Sequence, residues 1–368
     1  MPATAVEDVR RVSTLELFFD LVFVFTITQL TTVMADAPTW RGLLQVVLML
    51  GVIWWMYGGY AWLTNAVAPD RMTRQLVLLG GMAGYLVLAL AIPSAFDDAG
   101  VAFGIAYVAI VTIHATLFSR SGSVSVMQAL RGLAPYNLFT ALLVLAGGIA
   151  GGTAQYVLWT VAFLLEWVTP RLTEQAGFQV ATTHFVERHG LVIIVALGES
   201  IVAVGIGAAG LHIDLELVGV AVLGLMLSAC LWWTYFGGDD EEAERALSAA
   251  PPDRRGRMAV DAFGYAFLPL LLGIVASSAA LKKATGHPFD EVEFARALQL
   301  AGGVAIFMAG DALFRAALGL GAAPWRLAAA VAVLATIPLG TAGSATAQIA
   351  ALVAILVAAL SLERTRSD

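Results

Sequence analysis

The sequence predicts an all-α, polytopic membrane protein of about twelve transmembrane helices, arranged as two six-helix parallel repeats. Three observations carry that expectation. Hydrophobic residues fill 60% of the 368 positions and charged residues 13%, with a mean hydropathy of +0.84. Soluble domains run near roughly 45–50% and 25%. Apolar runs recur at close to the 20-residue length that spans a bilayer as a helix. One polar-in-apolar pattern also occurs twice, as Glu16-Leu17-Phe18-Phe19-Asp20 in the first run and Gly198-Glu199-Ser200 in the seventh.

Taken in order, the runs fall at 13–34, 42–63, 75–93, 100–118, 133–150, 153–169, 190–209, 215–236, 259–280, 296–318, 325–339 and 343–361, the eleventh being short. An offset of 179 superimposes Asp20 on Glu199, Trp54 on Trp233 and Gly58-Gly59 on Gly237-Gly238. Three further coincidences follow with only loop-sized drift: Gly84-Tyr85 with Gly264-Tyr265, Ala134-Pro135-Tyr136 with Ala323-Pro324-Trp325, and Gly152-Thr153-Ala154 with Gly340-Thr341-Ala342. The chain therefore divides into a first six-helix repeat (1–169), a connection (170–189) and a second repeat (190–368). Six is even, so both halves enter the membrane in the same sense and the repeat is parallel.

Sixteen of the 20 lysines and arginines fall in the N-terminus, the even-numbered loops with their flanks and the C-terminus. Only Arg41, Lys282, Lys283 and Arg296 fall in the odd loops. Cytoplasmic loops hold the cations, so both termini are expected in the cytoplasm, with the protein multi-pass in the membrane. The first 12 residues are polar with no cleavable leader, so the first helix is read as an uncleaved signal-anchor. Residues 237–258 place Asp239, Asp240, Glu241, Glu242 and Glu244 before Arg254, Arg255 and Arg257, and read as a solvated loop. The lone cysteine, Cys230, reads as a packing residue.

The net charge of −7 excludes nucleic acid as a partner. No glycine-rich phosphate loop, CxxC pair, HExxH or nucleophile elbow is present. Neither a cofactor nor a metal site is expected. The expected partners are the lipid bilayer and a small molecule or ion.

The residues Val12-Ser13-Thr14-Leu15-Glu16-Leu17-Phe18-Phe19-Asp20-Leu21-Val22-Phe23-Val24 form one signature. His184-Phe185-Val186-Glu187-Arg188-His189-Gly190-Leu191, followed by Leu197-Gly198-Glu199-Ser200, form a second. Together they resemble the bacterial low temperature requirement protein A family over nearly the whole chain. The resemblance implies a multi-pass membrane protein and no particular chemistry, since the family name records a cold-growth phenotype. The family tends to show Tyr-x-His-x-Pro in the ninth helix, where this chain reads Tyr265-Ala266-Phe267-Leu268-Pro269. Proton or ligand work by that histidine in relatives is not available to Phe267.

Charged side chains at mid-membrane cost about 2.5–3.5 kcal/mol on insertion scales and usually face the bundle interior. Glu199 lies about ten residues into its run, near mid-membrane, and the duplication places Asp20 at matching depth. Glu16 and Asp20 are i and i+4 on one helix face, and two nearby anions favour taking up a proton. Arg188 and Glu199 share a face at eleven residues' separation. Asp20 and Glu199 are thus the leading proton or substrate residues, supported by Glu16, Arg188, His184, Glu187, Ser200 and Asp261. The bland alternative is a satisfied salt-bridge network at helix ends. Asp311 and Arg315, at i and i+4, are expected to pair with each other, and His114 reads as a packed histidine. Trp54, Trp55, Tyr57, Trp232, Trp233 and Tyr235 read as interfacial anchors, or as plates bordering a pathway.

These features favour a proton-coupled secondary transporter. A cation channel is the next reading, because Phe-Phe-Asp on the first helix resembles the Phe-Ser-Asp motif of certain potassium channels. A membrane-embedded enzyme acting on lipid or isoprenoid substrates through paired carboxylates is third. The topology is directly testable. In a Cys230→Ala background, Arg245→Cys should resist an impermeant thiol reagent in intact cells, and labelling there would overturn the assigned orientation.

Overall fold

A computed structural model describes residues 12–66, 71–119, 124–172, 180–321 and 323–367. Among these residues the regular elements are all helices and no strand is present, as the all-α class requires. The helices are α1 (Thr14–Asp36), α2 (Trp40–Ala66), α3 (Met72–Ala91), α4 (Gly100–Ser119), α5 (Val124–Ala150), α6 (Gly152–Leu172), α7 (Thr182–Gly207) and α8 (Leu215–Phe236). The short α9 (Asp239–Ala249) and α10 (Pro252–Ala259) come next, then α11 (Phe267–Gly286), α12 (Phe294–Leu318), α13 (Pro324–Ala332), α14 (Ile337–Thr341) and α15 (Ala345–Ser367).

Eleven described stretches are long and apolar enough to cross a membrane. The difference from about twelve is α6, which has the length but carries Gln155 and Glu166 among its apolar residues. The short eleventh run is a broken span, with a 3-10 stretch at Val333–Thr336 between α13 and α14. Pro338, just inside α14, has no N–H to continue an α-helical ladder across that break. A π-helical turn at Val260–Tyr265 precedes α11. Pro269 offers no N–H to the carbonyls of that turn, and the indole of Trp54 donates to the Gly264 carbonyl instead, at 2.9 Å.

The two halves share an order of neighbours. In the first, α1 packs on α2 and α3, α3 on α4, α4 on α5, α5 on α6, and α2 on α4 and α6. In the second, α7 packs on α8 and α11, α11 on α12, α12 on α13, α13 on α15, and α8 on α12 and α15. Gln155 and Gln348, in the first turns of α6 and α15, play the same part. Their amides donate to the carbonyls of Ala95 (2.6 Å) and Ala297 (2.8 Å), at the entries to α4 and α12. These glutamines lie in the similar segments Thr153-Ala154-Gln155 and Thr346-Ala347-Gln348, whereas Gly340-Thr341-Ala342 lies at the end of α14.

Depth is not shared. α1 and α7 run side by side in parallel, with Glu16 against Arg188 and Thr28 against Glu199. Residues at one level therefore differ by 171 or 172 in number, where the duplication has 179. The expectation that Asp20 and Glu199 lie at matching depth is corrected: Glu199 is level with Thr28, eight residues past Asp20 and about 12 Å further along α1 at 1.5 Å per residue. Part of the error came from the start of α7. The segment from Thr182 to His189, read as connection, is helical, so Glu199 is seventeen residues into α7 rather than ten. The seam between the halves is made by α1 and α2 against α7 and α11.

The 237–258 segment is not a solvated loop. It folds into α9 and α10, and Asp239 is buried. Arg326 is the hub beneath it, bonding Asp239 and Asp311 and donating to Glu363 at 3.0 Å. Arg315 bonds Asp239 rather than its i−4 neighbour Asp311, which corrects the expected pair. Removing one partner of a buried ion cluster leaves uncompensated charge and costs about 3–5 kcal/mol. Arg326→Leu should therefore lower the thermal midpoint of the detergent-purified protein and expose α9 to protease. An unchanged midpoint would show that the cluster bears no structural load.

Candidate functional site

A cluster of buried polar side chains lies where α1, α2 and α7 meet. α1 opens with a capping box: the Ser13 hydroxyl accepts from the Glu16 N–H, and the Glu16 carboxylate accepts from the Ser13 N–H at 2.9 Å. That cap orients Glu16 inward, and Asp20 follows one turn later on the same face. α2 supplies Tyr57, Thr64 and Asn65, and α7 supplies His184 and Arg188. Glu16, Asp20, His184 and Arg188 are each only 1% exposed.

Arg188 is the centre. Its Nη1 donates to Glu16 Oε1 at 2.8 Å and to Thr64 Oγ1 at 2.7 Å. Its Nη2 lies 3.5 Å from Asp20 Oδ1, a charge contact without a hydrogen bond. The Tyr57 hydroxyl donates to the same Asp20 oxygen at 2.5 Å. The rings of Phe19 and Tyr57 each lie 5.7 Å from the guanidinium and close it off. Asp20 Oδ2 and the Nε and Nη2 of Arg188 are buried without a hydrogen-bond partner.

His184 is held from both sides. The Asn65 amide is fixed by the backbone of Ala181, donating to its carbonyl and accepting from its N–H, both at 3.0 Å. So oriented, its NH₂ faces His184 Nδ1 at 3.2 Å, which makes Nδ1 the acceptor and leaves Nε2–H to face Glu16 Oε1 at 3.2 Å. Two carboxylates then share one guanidinium.

The other expected site residues lie elsewhere. Glu199 is buried on the same α1–α7 seam, where the Thr28 hydroxyl donates to it at 2.5 Å. Ser200, beside it, bonds Ser278 of α11 at 2.7 Å. Glu187 points outward, and its carboxylate accepts from the Val12 N–H at 3.4 Å. Asp261 sits on the π-helical turn and pairs with Arg171 of α6 at 2.8 Å. Of the eight, Glu16, Asp20, His184 and Arg188 form one site and the remaining four do not join it.

The aromatic clusters also divide. Trp54 and Tyr57 are buried and stacked, with centroids 5.3 Å apart, and Phe267 stacks on Trp54 from α11. Trp232 and Trp233 are exposed and fit the anchoring reading, while Tyr235 is buried. Phe267, at the family's histidine position, is thus a packing ring.

Sequence reasoning passed over Thr64 and Asn65, which lie just beyond the apolar run at 42–63, and it read Tyr57 as an anchor or a plate beside a pathway rather than as a partner of Asp20. It also missed Glu166, a lone carboxylate in the sixth run that was visible as such. Glu166 is buried and accepts from Tyr107 at 2.5 Å and from Thr140 at 3.0 Å. No cluster of three or more metal-ligating side chains occurs among the described residues.

The profile of the family described as bacterial low temperature requirement A protein matches residues 11–361. An uncharacterized protein of Rhizobium meliloti (strain 1021) is 27% identical over 320 residues, covering 82% of this chain and 76% of the relative. No solved structure matches the chain.

Arg188→Gln should destabilise the protein by about 3–5 kcal/mol, because it strands Glu16 and Asp20 together. Adding Glu16→Gln should restore part of that loss. Denaturant titration of the two single variants and the double variant measures the coupling, and strictly additive losses would mean that the pair does not interact.

Proposed function

We propose a proton-coupled secondary transport function for this chain, which belongs to the bacterial low temperature requirement A family. The observation that carries the proposal is the buried cluster of Arg188, Glu16, Asp20 and His184 at the seam where α1 and α2 meet α7. Ionisable groups inside a membrane are costly and mark ion or proton pathways. Rearrangement along such a seam is also how carriers alternate between the two sides.

The wiring suggests separate roles. Glu16 is held by the Ser13 cap, by His184 and by Arg188, so it anchors the guanidinium. Asp20 has one oxygen engaged by Tyr57 and the other free. Glu16 and Arg188 cancel each other's charge and Asp20 is the second carboxylate, so a proton on its free oxygen would leave the guanidinium matched one to one. Opening the seam to water would let that proton leave. Glu199, further along the same seam, provides a second stop on the route. We place the protein in the bacterial cytoplasmic membrane with both termini inside, as the distribution of cations indicates.

Proteoliposomes carrying a pH-sensitive dye test this reading, with a library of small solutes offered on one side. A carrier should show solute-dependent, saturable proton movement. Asp20→Asn should abolish it, and Glu199→Gln should slow it at least tenfold, about 1.4 kcal/mol on the barrier. If both variants insert and carry protons like the parent from about pH 6 to about pH 8, the acids are structural and the proposal fails. Fast voltage-driven cation flux without any solute would assign the chain as a channel.

A further inference from the structure

A cavity of about 90 Å³ lies one aromatic layer from the charge cluster, at the junction of both halves. That is several times the roughly 10–15 Å³ that one water needs, and it suits a molecule of one or two rings. Its walls are mostly rings, with Trp54 and Trp55 from α2 and Phe263 from the π-helical turn. Two glycines of α2, Gly58 and Gly59, add backbone to the wall between those rings. A Cβ at Gly58 would meet nothing within 4 Å, so the space beside it is open. A Cβ at Gly59 would come within 3.0 Å of the His114 ring nitrogen Nε2, so glycine there lets the imidazole lie against α2.

His114 makes this cavity a built site rather than a packing fault. The residue is 6% exposed, lines the space and leaves Nε2 buried without a hydrogen-bond partner. An unmet buried polar atom costs about 1–3 kcal/mol, which a ligand group would relieve. A hydroxyl can satisfy Nε2 in either tautomer, because it both donates and accepts. Ring walls, limited volume and a polar edge of His114, Asn137 and His189, of which the His114 Nε2 is the unmet atom, together define the ligand. We propose that this cavity binds an aromatic alcohol of one or two rings, with its hydroxyl on His114, and that such a molecule is the transported substrate.

The second half of that statement rests on the transport reading, while the binding site stands on the cavity alone. The path between the two sites is short. Trp54 lines the cavity and stacks on Tyr57, whose hydroxyl bonds Asp20. A ligand that shifts Trp54 therefore acts on the carboxylate through one ring.

Calorimetric titration of the detergent-purified protein with 2-naphthol tests the site, with protein-free detergent as the blank and naphthalene as the analogue lacking the hydroxyl. The parent should bind 2-naphthol saturably at one site. His114→Phe should weaken 2-naphthol about tenfold, the scale of one lost hydrogen bond, and leave naphthalene unchanged. Gly58→Leu, whose side chain enters open space, should abolish binding of both. Gly58→Ala makes the same test with a smaller side chain and should weaken both if the leucine variant does not fold. No saturable binding by the parent would overturn the site, as would parental affinity in the folded Gly58 variants. Equal loss of both probes in His114→Phe would overturn the hydroxyl assignment. Because the titration needs no gradient, binding by a chain that moves no protons ends the transport reading and leaves the site. Solute-driven proton movement without naphthol binding does the reverse.

Discussion

A guanidinium keeps its proton at any pH a cell reaches, so Arg188, buried on a membrane-spanning helix, must be matched by fixed acceptors. That requirement organises the centre of the molecule. Glu16 and Asp20 have to lie one turn apart on α1, Thr64 has to reach across from α2, and α7 has to begin early enough to hold Arg188 in helical register. The capping box at Ser13 and the Asn65–Ala181 bonds follow from the same need. They hold the carboxylate and the histidine in the orientations that the arginine uses. In a membrane, where every unmet polar group is expensive, one buried charge thus fixes the relative placement of three helices from both halves.

The same logic recurs twice more, with different chemistry. Glu166 ties α6 to α4 and α5 through Tyr107 and Thr140, and Arg326 ties α13 to α9, α12 and α15 through its acids. Between these polar knots, small residues let backbones touch. A Cβ on Gly273 would fall 2.6 Å from the Gly303 carbonyl, and one on Gly148 would fall 2.1 Å from that of Gly100. Lipid offers no hydrophobic drive for helix association, so close backbone approach and buried polar bonds are what remain to bind the helices. The aromatic layer of Trp54, Tyr57 and Phe267 is the third device, and it separates the charge cluster from the cavity.

The halves keep a common order of packing while their polar residues differ. The glutamines of α6 and α15 hold equivalent turns, yet the Arg326 cluster belongs to the second half. The α1–α7 seam is offset by seven or eight residues from the 179-residue spacing of the sequence coincidences. Neighbour order depends on loop lengths and on where glycines permit contact. Depth at the seam depends on which acid meets Arg188, and that is a separate constraint.

Composition and periodicity alone determined the all-α membrane class, nearly every span and the signatures around Asp20 and Arg188, because apolar length and buried charge are local properties of the chain. Glu16, Asp20, His184 and Arg188 were legible for the same reason: each is a titratable residue in or beside an apolar run. Only the tertiary structure decided which of them meet. Helical spacing put Glu199 on the face of Arg188 but could not show that Arg188 would take its carboxylates from α1. Thr64 and Asn65 looked like the ordinary polar end of a helix until α7 was laid against them. The early start of α7 and the burial of Asp239 on a segment that reads as loop likewise come from partners distant in the chain. Local pattern reports what a residue needs; the packing of other helices decides what supplies it.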